Sequence, residues 1–257
     1  AHGGEVTEGA FDDSIRHALT KLSNIHFVCN QVYKNRVIQM GENPKHVYNI
    51  GGIGAEIIKS HKIMSKKNIY ETLKIKNNKE IILVALHPET NNQTENFNGL
   101  FKLLLKYSKT YNIIFTSPNS DPGFELINNK ILEFKKNNNC SYEKNMGSKL
   151  FQSVIANSKF IIGNSSSGIL EAPILKTATI NIGNRQKGRL MTKSIFNCSF
   201  HEASIQKTIK KVLNKTSLSF NDIHYKNKYA SKKIVSIISN INLDKLKIKK
   251  FFDIKNN

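Results

Sequence analysis

Acidic residues are scarce in this chain of 257: 19 Asp and Glu stand against 39 Lys and Arg, for a formal charge of +20. Arginine is scarcer still, occurring only at positions 16, 36, 185 and 189, so 35 of the 39 basic residues are lysine. Those lysines are spread among asparagines, without an aromatic-interleaved cluster or a nucleic-acid-binding motif. No nucleic-acid partner is therefore expected. A Lys/Asn bias on solvated faces accounts for the charge, and the positive field would help draw in an anionic substrate. Apolar runs of bilayer-spanning length are missing too, so no membrane partner is expected. Cysteine is limited to Cys29, Cys140 and Cys198, far apart and without paired metal-ligand spacing. That pattern fits a reducing cytoplasm and gives no reason to expect a metal or any other cofactor. Gly-Lys-Ser/Thr and Gly-x-Gly-x-x-Gly phosphate loops are also missing, which removes the main support for kinase, NTPase and dinucleotide-binding readings.

What is present is organised around Lys159–Pro173. Phe160–Ile162 is β-branched, aromatic and bounded by turn residues, which predicts a buried strand. Gly163, Asn164, Ser165, Ser166, Ser167 and Gly168 follow, and then helix-forming Leu170, Glu171 and Ala172. A strand, a small-residue loop and a helix start make an anion cradle, with free N–H groups and the helix dipole facing the ligand. Small side chains admit a diphosphate to the backbone, and the hydroxyls add donors. Glu171, about one turn into the helix, could accept hydrogen bonds from a ribose. A plain Ser/Gly turn is the alternative.

In chain order, helices are expected over 11–22 (apolar at Ile15, Ala18, Leu19 and Leu22) and 32–40, with strands over 25–29 and 47–50. Gly51-Gly52-Ile53-Gly54 suggests a flexible passage and a domain boundary. Beyond it, strands over 80–86, 112–116, 160–162 and 177–182 alternate with helices over 95–109, 124–136, 148–156, 204–213 and 225–241. That alternation predicts an α/β fold, a parallel sheet covered on both faces, with ligands at the carboxyl ends of its strands. The tail, 244–257, alternates lysines with apolar residues and is expected as a helix laid on the body.

Three more segments fall where such a site belongs. His87-Pro88-Glu89 follows a strand, and a histidine there could bind phosphate oxygens or pass a proton. The segment from Arg185 to Arg189 follows the next strand after the serine loop, and its two arginines suit fixed-geometry phosphate binding; a solvated basic turn is the alternative. The loop 117–123, which carries Asn119, is a weaker candidate. The N-terminal run adds His2, Glu5, Asp12, Asp13, Arg16 and His17 within a short span, a density suited to general acid–base work. Asp12 could equally cap the helix, with Arg16 pairing to it at i,i+4, whereas the glycine-rich start is harder to explain as scaffolding.

Together these runs resemble the hydrolysing UDP-N-acetylglucosamine 2-epimerases of sialic and related nonulosonic acid synthesis. The matching pieces are His2-Gly-Gly-Glu5, Asp12 to His17, His87-Pro88, Gly163 to Gly168 with Glu171, and Asn181 to Arg189. The resemblance implies two Rossmann-like domains in the glycosyltransferase-B arrangement, the first incomplete: residues 1–52 from the N-terminal domain, 53–241 the nucleotide-binding domain, and 242–257 a tail helix. It implies that Asn119, Asn164, Ser165, Ser166, Ser167, Gly168, Glu171 and Arg185 bind the nucleotide. His2, Glu5, Asp12, Asp13 and His87 would be catalytic, supported by Arg16, His17 and Arg189. The implied reaction eliminates nucleotide diphosphate to a glycal, then hydrates it to a free 2-epimerised sugar, without a cofactor. A nucleotide-sugar substrate and a homo-oligomer are the implied partners. Two departures stand out. The family's opening strand, Gly-rich turn and basic residue have no counterpart here, so about a hundred residues of that domain would lie upstream; and many relatives carry glutamate at the position of His2. A non-hydrolysing epimerase, a glycosyltransferase of the same fold and a silent nucleotide-sugar-binding fragment are the rival readings.

Overall fold

The computed structural model describes residues 1, 3–8, 12–89, 97–138, 140–220, 224–225, 229–246 and 248–254. The N-terminal part contains helix α1 (Asp12–Leu22), strand β1 (His26–Val28), helix α2 (Gln31–Gln39) and strand β2 (Val47–Asn49). β1 and β2 pair in parallel through the α2 crossover. Asn30 caps α2 by accepting the Tyr33 N–H, and Gly41, at φ +85°, turns the chain away from its end.

The larger part follows as α3 (Ile53–Ser60), α4 (Lys66–Thr72), β3 (Ile81–Ala85), α5 (Asn98–Ser108), β4 (Asn112–Thr116), α6 (Phe124–Asn137) and β5 (Ser141–Glu143). Then come α7 (Gly147–Ala156), β6 (Ser158–Gly163), α8 (Ser167–Leu170), β7 (Ala178–Ile182), β8 (Ile195–Cys198), α9 (Glu202–Leu213) and α10 (Ala230–Asn240). Its strands are all parallel, in the order β5-β4-β3-β6-β7-β8. The chain winds outward in one direction from β3 and in the other from β6, so a crevice opens between their carboxyl ends.

β3 is apolar along its whole length, and β4 and β6 through their middles, because helices cover both faces. Ile82, Val84, Phe115, Phe160, Ile162 and Ile180 point to one face and meet Leu100 and Leu104 of α5, Ile131 of α6 and Ile205 of α9. Ile81, Leu83, Ile114 and Ile161 point to the other and meet Ile69 of α4 with Val154 and Ile155 of α7. Each such side chain contributes about 1.5–3 kcal/mol by leaving water. A third cluster joins the two parts: Val28, Tyr33, Val37 and Val47 pack with Ile169, Ile195 and Tyr225. The small sheet is thereby seated against α8 and the start of β8.

Four expectations need correction. Residues 51–54 are not a loose passage. Gly52 caps α3 and donates its N–H to the Tyr225 carbonyl, where a Cβ would stand 2.4 Å from that oxygen. The glycine is there for close approach. The apolar face of α1 is uncovered among the described residues, with Ile15, Leu19 and Leu22 at 49%, 57% and 79% exposure. Gly3 and Gly4 are scaffold after all: a Cβ on Gly4 would stand 2.3 Å from the Tyr33 carbonyl oxygen, and one on Gly3 3.1 Å from Val37. The tail is no helix. After a 3-10 turn (Leu243–Leu246) its described residues run without regular structure. Lys249 holds it by donating to the carbonyls of Thr20, Lys21 and Ser23 at the end of α1, and by pairing with buried Glu42 at 2.8 Å. These orphan carbonyls and a buried carboxylate fix the tail more strongly than helix propensity does.

Candidate active site

The β3/β6 crevice is built on Asn164, which is fully buried. Its side chain accepts the His87 N–H and donates to the His87 carbonyl, both at 2.8 Å. Its own N–H bonds the Ala85 carbonyl at 3.1 Å. Its carbonyl accepts from Gln186 Nε2 at 2.9 Å and from Arg185 Nη1 at 3.4 Å. One residue thus ties together the loops after β3, β6 and β7. Gly163 makes this approach possible: it sits at φ +144°, and a Cβ there would lie 2.0 Å from the Ala85 oxygen. Asn164 is expected among the nucleotide-binding residues; the two hydrogen bonds of its side chain both go to the His87 backbone.

His87 is fixed in one tautomer. Its Nδ1 accepts the Asn119 N–H at 2.9 Å, so in the neutral ring the proton sits on Nε2. Burial first, and then the Arg185 guanidinium, hold its pKa down to about 4. Near neutral pH the ring is an uncharged donor. Asn119 contributes to this arrangement through its backbone, while its side chain donates to Asp121.

Arg185 is mostly buried beside Asp121, with Nη2 3.5 Å from the carboxylate. Burial lowers its pKa; Asp121, and to a lesser degree Asp12 across the cleft, oppose the shift. Its backbone is anchored by Glu89, which is 6% exposed and whose Oε1 accepts the N–H groups of Asn184 and Arg185, each at 2.8 Å.

In the serine loop, Ser165 and Ser166 are half-buried, and their N–H groups bond no carbonyl among the described residues. Ser167 is turned inward, its hydroxyl 2.9 Å from that of Ser165. A Cβ at Gly168 would stand 2.7 Å from Thr179 Cγ2. Ser167 and Gly168 therefore shape the loop, and Ser165 and Ser166 face the opening. The expected helix is a single turn, Ser167–Leu170, with Pro173 soon after. Its dipole is correspondingly small, so the cradle depends on individual N–H and O–H donors. Glu171 lies just past that turn rather than inside it. Its pKa is raised by burial, and Gln152 donates to its Oε2 at 3.4 Å.

Glu171 opens onto a cavity of about 440 Å³, shared with Glu5, Cys29, Gly54, Phe151, Gln152 and Tyr225. Glu5 is 2% exposed. Its Oε2 pairs with Arg189 at 3.0 Å, while Oε1 has no partner among the described residues. Arg189 also donates to Gln186 at 2.8 Å. The remaining N-terminal acids are also paired. Asp12 pairs with Arg16 at 2.7 Å. Asp13 accepts the Thr7 N–H at 2.6 Å and lies 3.3 Å from His17 Nε2. Glu8 pairs with Lys187 at 2.7 Å. His2 lies outside the described residues.

The structure thus brings His87, Ser165, Ser166 and Arg185 to one crevice, with Glu171 on the adjoining cavity. Glu5 and Arg189 join the N-terminal segment to the loop after β7. Asp13 and His17 turn toward each other and Thr7. Sequence reasoning missed Glu89, Gln152 and Gln186. For Glu89 there was a usable signal, its place two residues beyond His87 at a strand end; Gln152 and Gln186 carry none, because an isolated glutamine in a helix or loop has no local signature.

Residues 1–239 match the family described as UDP-N-acetylglucosamine 2-epimerase. The chain is 38% identical to a GDP/UDP-N,N'-diacetylbacillosamine 2-epimerase (hydrolyzing) from Campylobacter jejuni, covering 98% of this chain and 67% of that relative. It is 37% identical to polysialic acid biosynthesis protein P7 from Escherichia coli, over 81% of this chain and 54% of that one. Against these two curated relatives, then, it spans a little over half to two thirds of their length. Among solved structures, the UDP-GlcNAc 2-epimerase from Neisseria meningitidis bound to UDP-GlcNAc superposes with a TM-score of 0.75 at 16% identity, over 93% of this chain and 69% of that one. That likeness bears out the α/β, Rossmann-like expectation of the glycosyltransferase-B type. With the family match running through both the N-terminal acids and the serine loop, the chain belongs to the UDP-N-acetylglucosamine 2-epimerase family.

Proposed function

We propose that the protein is a hydrolysing nucleotide-sugar 2-epimerase. Its substrate is UDP-N-acetylglucosamine or a diacetamido-trideoxy analogue, and its products are the free 2-epimerised sugar and the nucleoside diphosphate. The observation that carries this reading is the crevice in which neutral His87, Ser165, Ser166 and Arg185 converge through Asn164, facing the N-terminal acids.

In this reading the N–H and O–H groups of Ser165 and Ser166 grip the diphosphate, with Arg185 supplying the fixed cation. His87 Nε2–H donates to a phosphate oxygen, and the family resemblance also counts it among the catalytic residues. Glu171 accepts from the ribose, and the wall formed by Phe151 and the α3 residues receives the base. Departure of the diphosphate breaks the C1–O bond and builds positive charge at C1, which acidifies the C2 hydrogen. A base removes that proton, and the C2–H electron pair becomes the C1=C2 bond of a glycal. Water then adds its hydroxyl to C1 while a proton reaches C2 from the opposite face, inverting that centre. Glu5, Asp12 and Asp13 are the acid–base candidates on the sugar side, with His2 beside them in sequence. The hydrolysing outcome is supported by the Campylobacter relative, whose name carries it.

The test is incubation of the protein with UDP-N-acetylglucosamine and with the diacetamido-trideoxy nucleotide sugars in D2O. Free 2-epimerised sugar deuterated at C2, together with nucleoside diphosphate, is the expected outcome. An epimerised sugar still joined to its nucleotide would replace this reading with the non-hydrolysing one. Dependence on an acceptor would indicate a glycosyltransferase.

A further inference from the structure

Gln152 is buried behind Glu171, at 4% exposure in the middle of α7. Its amide makes one bond in each direction: Nε2 donates to Glu171 Oε2 at 3.4 Å, and Oε1 lies 2.7 Å from His61 Nδ1. The polarity of this chain is set by chemistry. An ionised carboxylate only accepts, so the amide must turn its NH2 toward Glu171, which leaves its oxygen facing His61. His61 then has to donate from Nδ1. Glu171 is thereby held by one oxygen, while Oε1 receives no bond from the described residues and is free to meet a ligand hydroxyl.

The chain also crosses between elements. His61 directly follows α3, the helix whose Ile53, Gly54, Ala55 and Ile57 line the same cavity, whereas Glu171 belongs to the serine loop's segment. A shift of α3 would therefore move the amide that orients Glu171.

We propose that Gln152 is the positioning residue for ribose recognition, orienting the Glu171 carboxylate, and that His61 fixes the amide in the required sense. This rests on the ribose role given to Glu171 above. Loss of one hydrogen bond to a charged group corresponds to about 10-fold in affinity. Without the amide the carboxylate can rotate away, so the loss falls on ligands that carry the ribose hydroxyl.

The experiment is titration calorimetry of the full chain with UDP, 2'-deoxy-UDP and 3'-deoxy-UDP, comparing wild type with Glu171→Ala, Gln152→Leu and His61→Ala. The wild type should prefer UDP over whichever deoxy ligand lacks the recognised hydroxyl. Glu171→Ala should bring that ratio close to one. Gln152→Leu should lower UDP affinity about 10-fold, with nearly all of the change in the ratio, and His61→Ala should act in the same direction by a smaller factor. Thermal melting separates this from a packing defect, which would weaken all three ligands equally. If Glu171→Ala collapses the ratio while Gln152→Leu leaves it intact, the positioning role is wrong and the ribose role stands. If Glu171→Ala itself leaves the ratio unmoved, both are wrong. Should Gln152→Leu fail to fold, His61→Ala decides, and an unmoved ratio there overturns the proposal.

Discussion

The crevice after β3, β6 and β7 and the N-terminal segment across from it are both dense in polar groups, yet they are organised in opposite ways. In the crevice, Asn164, His87 and Glu89 are held largely through backbone atoms, which leaves His87 Nε2 and the Ser165 and Ser166 donors uncommitted. In the N-terminal segment, side chains engage other side chains: Asp12 with Arg16, Asp13 with His17, and Glu5 with Arg189 of the loop after β7. The first arrangement is built to receive an anion without rearrangement. In the second, the Asp12 and Asp13 carboxylates are already engaged, while Glu5 keeps Oε1 without a partner among the described residues. On the proposed reading, binding falls to the first region and chemistry to the second.

The largest effect that would sharpen this contrast is expected from Asn164→Ala. It removes the two side-chain bonds that hold the His87 backbone and leaves buried groups unpaired, at about 1–3 kcal/mol each. UDP affinity should fall at least 100-fold by calorimetry, with a lowered melting temperature. Retention of wild-type affinity would mean that the crevice is not preorganised by this residue.

Of intermediate size is a pH effect at His87. Its pKa lies below the ordinary 6.5, at about 4, so the folded protein binds fewer protons there than the unfolded chain does. Its contribution to stability is complete above the unfolded value of 6.5 and is lost as pH falls toward 4. Between pH 7 and pH 5 the wild type should therefore lose more stability than His87→Gln, as followed by urea unfolding. Equal losses would show that the histidine is not held neutral.

The smallest structural effect belongs to Asp12→Asn. The Asp12 side chain is 64% exposed, so its pair with Arg16 contributes about 0–1 kcal/mol and the melting temperature should scarcely move. Turnover should nonetheless drop by about 100-fold or more while UDP affinity is kept, the size expected when a general acid or base is removed. A matching fall in affinity would place Asp12 with the binding half and erase the distinction.

How much of this could be read from the residues depended on how each feature is encoded. β3, β4, β6 and β7 were legible because burial on both faces demands continuous apolar runs such as Ile81–Ala85. The serine loop was legible because few other roles require Gly163 and consecutive small residues. Short β5 and β8 were missed, since three or four residues such as Ser141–Glu143 carry no period. Helices α3 and α4 were hidden by the glycines ahead of α3 and the lysines around α4. The tail misled for the reverse reason: its apolar alternation suggested a helix, while Lys249's bonds to the end of α1 and to Glu42 decide its path. In the site, residue types could be anticipated but not their partners. Nothing local shows that Asn164 spends its amide on a backbone 77 residues away in sequence.

On the proposed reading, the neutrality of His87 has a consequence for turnover. A diphosphate held by hydroxyls, amides, an uncharged imidazole and a single guanidinium should respond far less to ionic strength than the protein's overall charge of +20 suggests. The surface lysines would hasten arrival in dilute salt. Once the sugar has departed, the product is restrained by few formal charges, so its escape should be quick and nearly indifferent to added electrolyte.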